Sequence, residues 1–279
     1  MELKKEIAIA SLVFAAGKGS RMKGFDGNKT LLPLEPSFSP FQGDRPILLH
    51  ILGRLPDGPK AVVVHHRKEE VIHTTRGLGV AYYEQPVLNG TGGALLAARE
   101  FVEAGNHDRL IITMGDVPFV KRETYLGLVR ALRFHHLVIL GFTPRDRKKY
   151  GVLETEGERV RRITEWKYWK DFPEERRGTL RICNSGIYAA RTRDLIPYLE
   201  TLGKNPHRVL KERDGRKVEI EEFFITDLVE WMVQDALHVG YGLAADENEV
   251  MGIDDLPSLL RAQHYSRPAG TKDTPSPLT

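Results

Sequence analysis

Leu12-Val13-Phe14-Ala15-Ala16-Gly17-Lys18-Gly19-Ser20-Arg21-Met22, with Lys29 close behind, joins an apolar β-type run to a glycine turn and two cations. Ile7–Phe14 reads as a buried strand, because its apolar residues are too few to span a bilayer and no cleavage site follows. Two glycines in the following turn let the backbone approach a ligand closely. Consecutive N–H groups in such a turn can wrap phosphate oxygens. Arg21 then offers a bidentate fork and Lys29 a point charge. The spacing is not that of a Walker A loop. It is not Gly-x-Gly-x-x-Gly either, because Met22 stands where the third glycine would fall.

Outward from this stretch, the first half alternates strands and helices. Strands are expected at Ala61–Val64, Val80–Tyr83, Leu110–Met114 and Leu137–Phe142. Helices are expected at Pro46–Leu55, Lys68–Arg76, Thr91–Ala104 and Arg122–Arg133. That rhythm predicts an α/β fold, a doubly wound and mostly parallel sheet with helices on both faces. Ligands of such sheets bind beyond the carboxyl ends of the strands. In the second half, Gly151–Thr155 and Arg159–Thr164 read as a hairpin, Asn184–Ala190 and Ala236–Leu243 as strands, and Asp194–Leu202 and Glu222–Gln234 as helices. The expected division is a single domain over 1–265, with a ligand-binding half to about 142 and a substrate lobe from about 143. A Pro-, Ser- and Thr-rich tail over 266–279 is expected to be disordered.

The 279 residues are 41% hydrophobic and 28% charged, an ordinary globular composition. A charge of +3 and a pI near 8.8 fall short of a nucleic-acid footprint, and no run reaches the ~18 apolar residues of a membrane span. Neither partner is expected. One cysteine, Cys183, excludes an internal disulfide framework, fits a cytoplasmic location and reads as a small core residue. Basic clusters at Arg145 to Lys149, Arg159 to Arg162 and Arg176-Arg177 read mainly as solvated faces. No repeat is present, including the hexapeptide repeat of a left-handed β-helix.

Ala-Ala-Gly-x-Gly-x-Arg-Met at 15–22, then Lys29-Thr30-Leu31-Leu32-Pro33-Leu34, resembles the signature of the sugar-phosphate nucleotidyltransferase family. Further segments match in the same order: Gln85 to Ala94, Gly115-Asp116-Val117-Pro118, Tyr150-Gly151, Ile163-Thr164-Glu165-Trp166-Lys167, Asn184-Ser185-Gly186-Ile187-Tyr188, Phe223 to Asp227 and Gly252-Ile253-Asp254. The pattern is most similar to the uridylyltransferases that act on N-acetylglucosamine 1-phosphate. The resemblance implies a Rossmann-like nucleotide-diphospho-sugar transferase fold with an added sugar-binding lobe. It implies an NTP, UTP by preference, and a sugar 1-phosphate as substrates. Ala15, Ala16, Gly17, Gly19, Gln85, Gly90 and Thr91 would bind the nucleotide. Arg21 and Lys29 would be catalytic, Asp116 and Asp254 would hold Mg²⁺, and Gly151, Glu165 and Asn184 would bind the sugar.

Three departures bear on these expectations. Asn28 replaces a usual proline before Lys29, so the backbone there is expected to be less rigid. Asn89 replaces a leucine near the base. Asp254 replaces an asparagine and is the stronger ligand for a hard cation. Without the β-helix repeat, acetyl transfer and β-helix trimerisation are not expected, which leaves a monomer or small homo-oligomer. Other bases or acceptors (GTP, dTTP or CTP; mannose or glucose 1-phosphate) and a non-catalytic nucleotide-binding protein remain open. A dinucleotide oxidoreductase lacks its glycine fingerprint and acidic ribose reader. His65-His66 and His135-His136 lack metal-ligand spacing.

Overall fold

A computed structural model describes residues 7–147, 149–213 and 216–267. Its elements in chain order are β1 (Ile9–Phe14), a 3₁₀ turn (Lys29–Leu31), β2 (Pro33–Ser39), β3 (Gln42–Pro46), α1 (Ile47–Arg54), β4 (Lys60–Val64), α2 (Lys68–Thr74), β5 (Val80–Glu84), α3 (Thr91–Ala97), α4 (Arg99–Glu103), β6 (Arg109–Met114), α5 (Arg122–Ala131) and β7 (Leu137–Phe142). There follow β8 (Val152–Glu156), β9 (Arg159–Thr164), α6 (Trp166–Trp169), α7 (Glu174–Thr179), β10 (Cys183–Arg191), α8 (Thr192–Lys204), β11 (His207–Arg213), β12 (Arg216–Glu222), α9 (Asp227–Gln234), β13 (Val239–Leu243) and α10 (Leu256–Ser266).

Nine strands form one sheet in the order β5-β4-β1-β6-β10-β7-β13-β9-β8. β5, β4, β1 and β6 run parallel, with Leu12 opposite both Ala61 and Ile112. β10 is antiparallel to β6 and β7, and β13 rejoins β7 in parallel. The expected mostly parallel α/β sheet is present, and strands of the second half complete it. The chain steps from β1 to β4 on one side and later to β6 on the other. The carboxyl end of β1 is therefore a topological switch point, where α/β folds open a crevice.

Alternating side chains of β1 enter two cores. Val13 packs with Ile111 beneath α1, α5 and α10. Ala10 and Leu12 pack with Leu110 and Ile112 beneath α3, α4, α8 and α9. Cys183 is fully buried, as expected of a core residue. No helix among the described residues is long and apolar enough to cross a membrane.

Several expectations change. The helix expected over Thr91–Ala104 breaks at Ala98, whose φ and ψ of −99° and 20° divide α3 from α4. The helix expected from Glu222 starts only at Asp227. Glu222 ends β12, and the Phe223 backbone is committed to the loop before α3: its N–H donates to Asn89 O at 2.8 Å, and its carbonyl accepts from Gly92 N at 2.8 Å. The β2–β3 and β11–β12 hairpins and α10 were not anticipated. Ser266, placed by sequence at the start of the tail, ends α10, and 268–279 lie outside the described residues.

Burial pushes the Cys183 thiol up to about 12, against a weaker opposite pull from Arg147. The native protein is therefore expected to resist a thiol reagent at pH 8 and to react only when unfolded. Labelling across a denaturant series checks this; rapid labelling without denaturant would contradict it.

Candidate active site

The loop after β1 begins inside the core. Ala15 and Ala16 are buried, Ala15 N donates to Val63 O at 2.9 Å, and Gly17, Lys18 and Arg21 are exposed. Among the described residues, none of the N–H groups of residues 16–21 donates to a protein acceptor. That leaves a run of donors at the switch point for an anion. Gly19 takes the left-handed φ of 62° that lets the loop fold back. A Cβ there would stand 3.2 Å from Lys29 Cβ, so the loop packs on the lysine stem.

Asn28 overturns the expectation of a looser backbone. It is fully buried at φ −78°, a value a proline would also impose. Its Nδ2 donates to Ala15 O (3.1 Å) and His66 O (2.8 Å), and its Oδ1 accepts from Thr30 N (3.0 Å) and Thr30 Oγ1 (2.8 Å). One amide thus ties together the loop after β1, the loop after β4 and the 3₁₀ turn that presents Lys29. Sequence offered no signal beyond the Asn itself, because its partners are distant or backbone atoms.

Lys29 Nζ donates to Asp116 and, at 3.0 Å, to Asp254 Oδ1. Arg21 Nη2 donates to the same oxygen at 3.0 Å. Asp116 follows Gly115 at the end of β6, and a Cβ on Gly115 would press to 2.7 Å from Phe14 O. Ile253 N donates to Asp116 O at 2.9 Å, which joins the two carboxylate-bearing turns. Burial pulls the Lys29 ammonium down, but the two carboxylates outweigh it and hold its pKa above the usual value. No cluster of three or more His, Cys, Asp or Glu forms a cation site among the described residues. Two convergent carboxylates beside an anion loop nevertheless suit Mg²⁺, which takes one or two protein carboxylates with phosphates and water completing its shell.

A cavity of about 1140 Å³ opens beside this cluster and brings Thr91, Asp116, Glu165, Asn184 and Asp254 onto one wall system. Arg21 lines a neighbouring cavity of about 790 Å³ that shares Asp254. Gly151 lies behind the wall. Its carbonyl accepts from Asn184 N at 2.8 Å, and a Cβ on it would meet Glu165 Oε2 at 3.4 Å. The Asn184 amide is engaged at both ends, donating to Tyr188 Oη at 2.9 Å and accepting from Gly186 N at 2.9 Å. It shapes the irregular register of β10 against β7. Gln85 is buried off the cavity wall, and its Nε2 donates to Asn89 Oδ1 and Gly90 O, both at 3.0 Å. Thr91 does not cap α3, since Gly90 holds the cap position at φ 94°; Thr91 Oγ1 instead accepts from Ile225 N at 3.3 Å.

The basic clusters are not all solvated faces. Arg147 Nη1 donates to Leu180 O at 2.7 Å, and Arg162 and Arg176 grip Glu154 on the cavity wall at 3.2 Å each. Sequence reading also missed His207, which lines the cavity with Nε2 2.8 Å from Asp227 Oδ2. A hairpin separates that pair in the chain, so no local spacing announces it.

The fold and the site together define a nucleotide-sugar type α/β transferase scaffold. Residues 11–215 match the MobA-like NTP transferase domain, and the chain belongs to that family. Bifunctional protein GlmU of Sphingopyxis alaskensis is 34% identical over 227 residues, 79% of this chain and 44% of that protein. Its counterpart in Ruegeria pomeroyi is 29% identical over 263 residues, 92% of this chain and 52% of that protein. The chain thus spans about half the length of these curated relatives. Among solved structures, a putative glucose-1-phosphate thymidylyltransferase of Bacillus anthracis superposes with a TM-score of 0.67 at 19% identity, covering 95% of this chain and 98% of that one. Uridine diphosphate N-acetylglucosamine pyrophosphorylase of Trypanosoma brucei gives 0.68 at 12%, covering 91% and 64%. Likeness at such identities speaks for the fold.

Two outcomes follow from the site's energetics. Asn28→Ala and Asn28→Pro both remove the amide and leave buried backbone groups unpaired, and each is expected to cost about 2–4 kcal/mol in chemical denaturation. A stability equal to wild type in Asn28→Pro would refute the cross-linking role. Glu165, whose pKa is raised by burial first and by Asp227 against the pull of Lys167, costs stability when ionised. That cost is absent below its unfolded pKa and complete above its folded one. Glu165→Gln is expected to raise the melting temperature relative to wild type at pH 8 more than at pH 4; an equal difference at both would contradict it.

Proposed function

We propose that the protein is a nucleotidyltransferase that joins UTP to a sugar 1-phosphate, N-acetylglucosamine 1-phosphate by preference, and releases a UDP-sugar and pyrophosphate. The observation that carries this reading is the convergence of Lys29 and Arg21 on Asp116 and Asp254, beside the undonated N–H groups of residues 16–21 and the mouth of the cavity.

An acceptor phosphate oxygen attacks the α-phosphorus in line. That oxygen is anionic near neutral pH, so no general base is required and catalysis is positioning plus charge neutralisation. The N–H groups from Ala16 through Gly19 hold triphosphate oxygens, with Ala15 anchoring the loop. Arg21 forks onto the phosphates, and Lys29 stabilises charge growing on the leaving pyrophosphate. Asp116 and Asp254 are the residues to hold Mg²⁺, which when bound neutralises and aligns the reacting phosphates. Glu165 and Asn184, from the lobe over about 143–265, face the sugar, and Gly151 backs them from behind the wall. The Glu165 carboxyl reads hydroxyls directly, and Asn184 keeps the β10 bulge in shape.

The base is assigned to the Gln85–Gly90–Thr91 segment, of which Thr91 lines the cavity and Gln85 is buried behind it. The Gln85 Nε2 is spent on Asn89 and Gly90, which leaves its oxygen as an acceptor. An acceptor suits the imide N3–H of uracil. Thymine has the same N3–H, so dTTP is the second reading.

Pyrophosphate release with Mg²⁺, five NTPs and a panel of sugar 1-phosphates tests the assignment. Release with UTP and N-acetylglucosamine 1-phosphate supports it, release with dTTP supports the second reading, and nucleotide binding without release by any pair overturns the enzymatic reading. Lys29→Ala is expected to lower turnover about 10²–10³-fold while leaving acceptor binding nearly intact. Unchanged turnover would remove Lys29 from the mechanism.

A further inference from the structure

Asp116 and Asp254 are already neutralised from within the chain. Lys29 Nζ donates to both carboxylates, Arg21 adds a second donor to Asp254 Oδ1, and these two cations and two anions sum to zero. The inner pair is the sheltered one: the Lys29 and Asp116 side chains are 13% and 21% exposed, against 72% for Arg21. Among the described residues, Lys29 Nζ has no other hydrogen-bond partner.

A divalent cation on these carboxylates needs the oxygens that the ammonium holds. Entering alone, it would leave Lys29 beside a like charge with no acceptor. Entering with a triphosphate, it brings the acceptor with it. The Lys29 stem rests on Gly19, within the loop whose N–H groups face the same anion, so the ammonium can turn from carboxylate to phosphate while its backbone stays pinned by Asn28.

From this arrangement, and resting on the nucleotidyltransferase reading, we infer that Lys29 competes with the divalent cation for Asp116 and Asp254. Metal and nucleotide then bind cooperatively, with Lys29 as the coupling residue. The linkage is reciprocal: whatever the triphosphate does for the metal, the metal does equally for the triphosphate.

Mn²⁺ is the probe, with binding followed by electron paramagnetic resonance in the absence of nucleotide. Lys29→Met keeps the stem and removes the charge; Lys29→Gln is the second variant, so that one misfolded protein does not void the test. The expected result is Mn²⁺ affinity at least ~10-fold higher in the variants than in wild type, and a smaller gain in affinity when a non-hydrolysable UTP analogue is added. Equal or weaker Mn²⁺ affinity in both variants, with Asp116→Asn still abolishing it, overturns the competition and leaves the metal site standing. Mn²⁺ affinity unaffected by Asp116→Asn in the Lys29→Met background overturns the metal site itself, and with it the reading on which the inference rests.

Discussion

Lys29 meets two carboxylates that reach it from different parts of the chain, and much of the surrounding structure serves that contact. Asp116 arrives at the end of β6, which lies beside β1 because the parallel ladder sets Phe14 against Met114. Asp254 arrives from the loop before α10, held by the bond from Ile253 N to Asp116 O and by Ser258 beneath it. A sheltered ammonium alone is costly, and removing either carboxylate would leave an uncompensated charge. The exposed Arg21–Asp254 pair is worth at most about 1 kcal/mol. The inner pair therefore governs the geometry, and Arg21 stays exposed at its edge.

Asn28 shows how a rigid presentation can be built in two ways. A proline constrains its own φ. Asn28 adopts the same φ and adds four hydrogen bonds that join three segments. The first device acts on the unfolded chain, the second on the folded one. The second also couples the anion loop to Lys29, since Ala15 O and Thr30 N hang on one amide.

Along the larger cavity, polarity is managed by pairing. Glu154 takes Arg162 and Arg176, Asp227 takes His207, and the Asn184 amide is satisfied within β10. Among the described residues, Glu165 has no ion pair at salt-bridge distance. It is buried enough to resist ionisation and lines the cavity. Ionising it therefore carries a cost in stability.

The strands around Val13, Val62, Ile111 and Val138 could be read directly, because a strand buried on both faces leaves a continuous apolar run in the chain. The glycine turn after β1 and the order of the motifs were legible for a similar reason: each is a local backbone requirement. The hairpin at Pro33–Pro46 was not, because its prolines and glycine hide the period of two. The false helix start at Glu222 came from a segment whose backbone bonds go to Asn89 and Gly92, which no local window contains. By itself the sequence determined the alternation of strands and helices in the first half, the glycine turn after β1 and which charged residues stand beside it. Only the tertiary structure decided that Asn28 is a cross-link, that Gln85 spends its amide on its own loop, that His207 reaches Asp227, and that Lys29 spans both carboxylates. Those four depend on atoms brought together through space, and hydrogen bonds of that kind leave no spacing in the chain to be read.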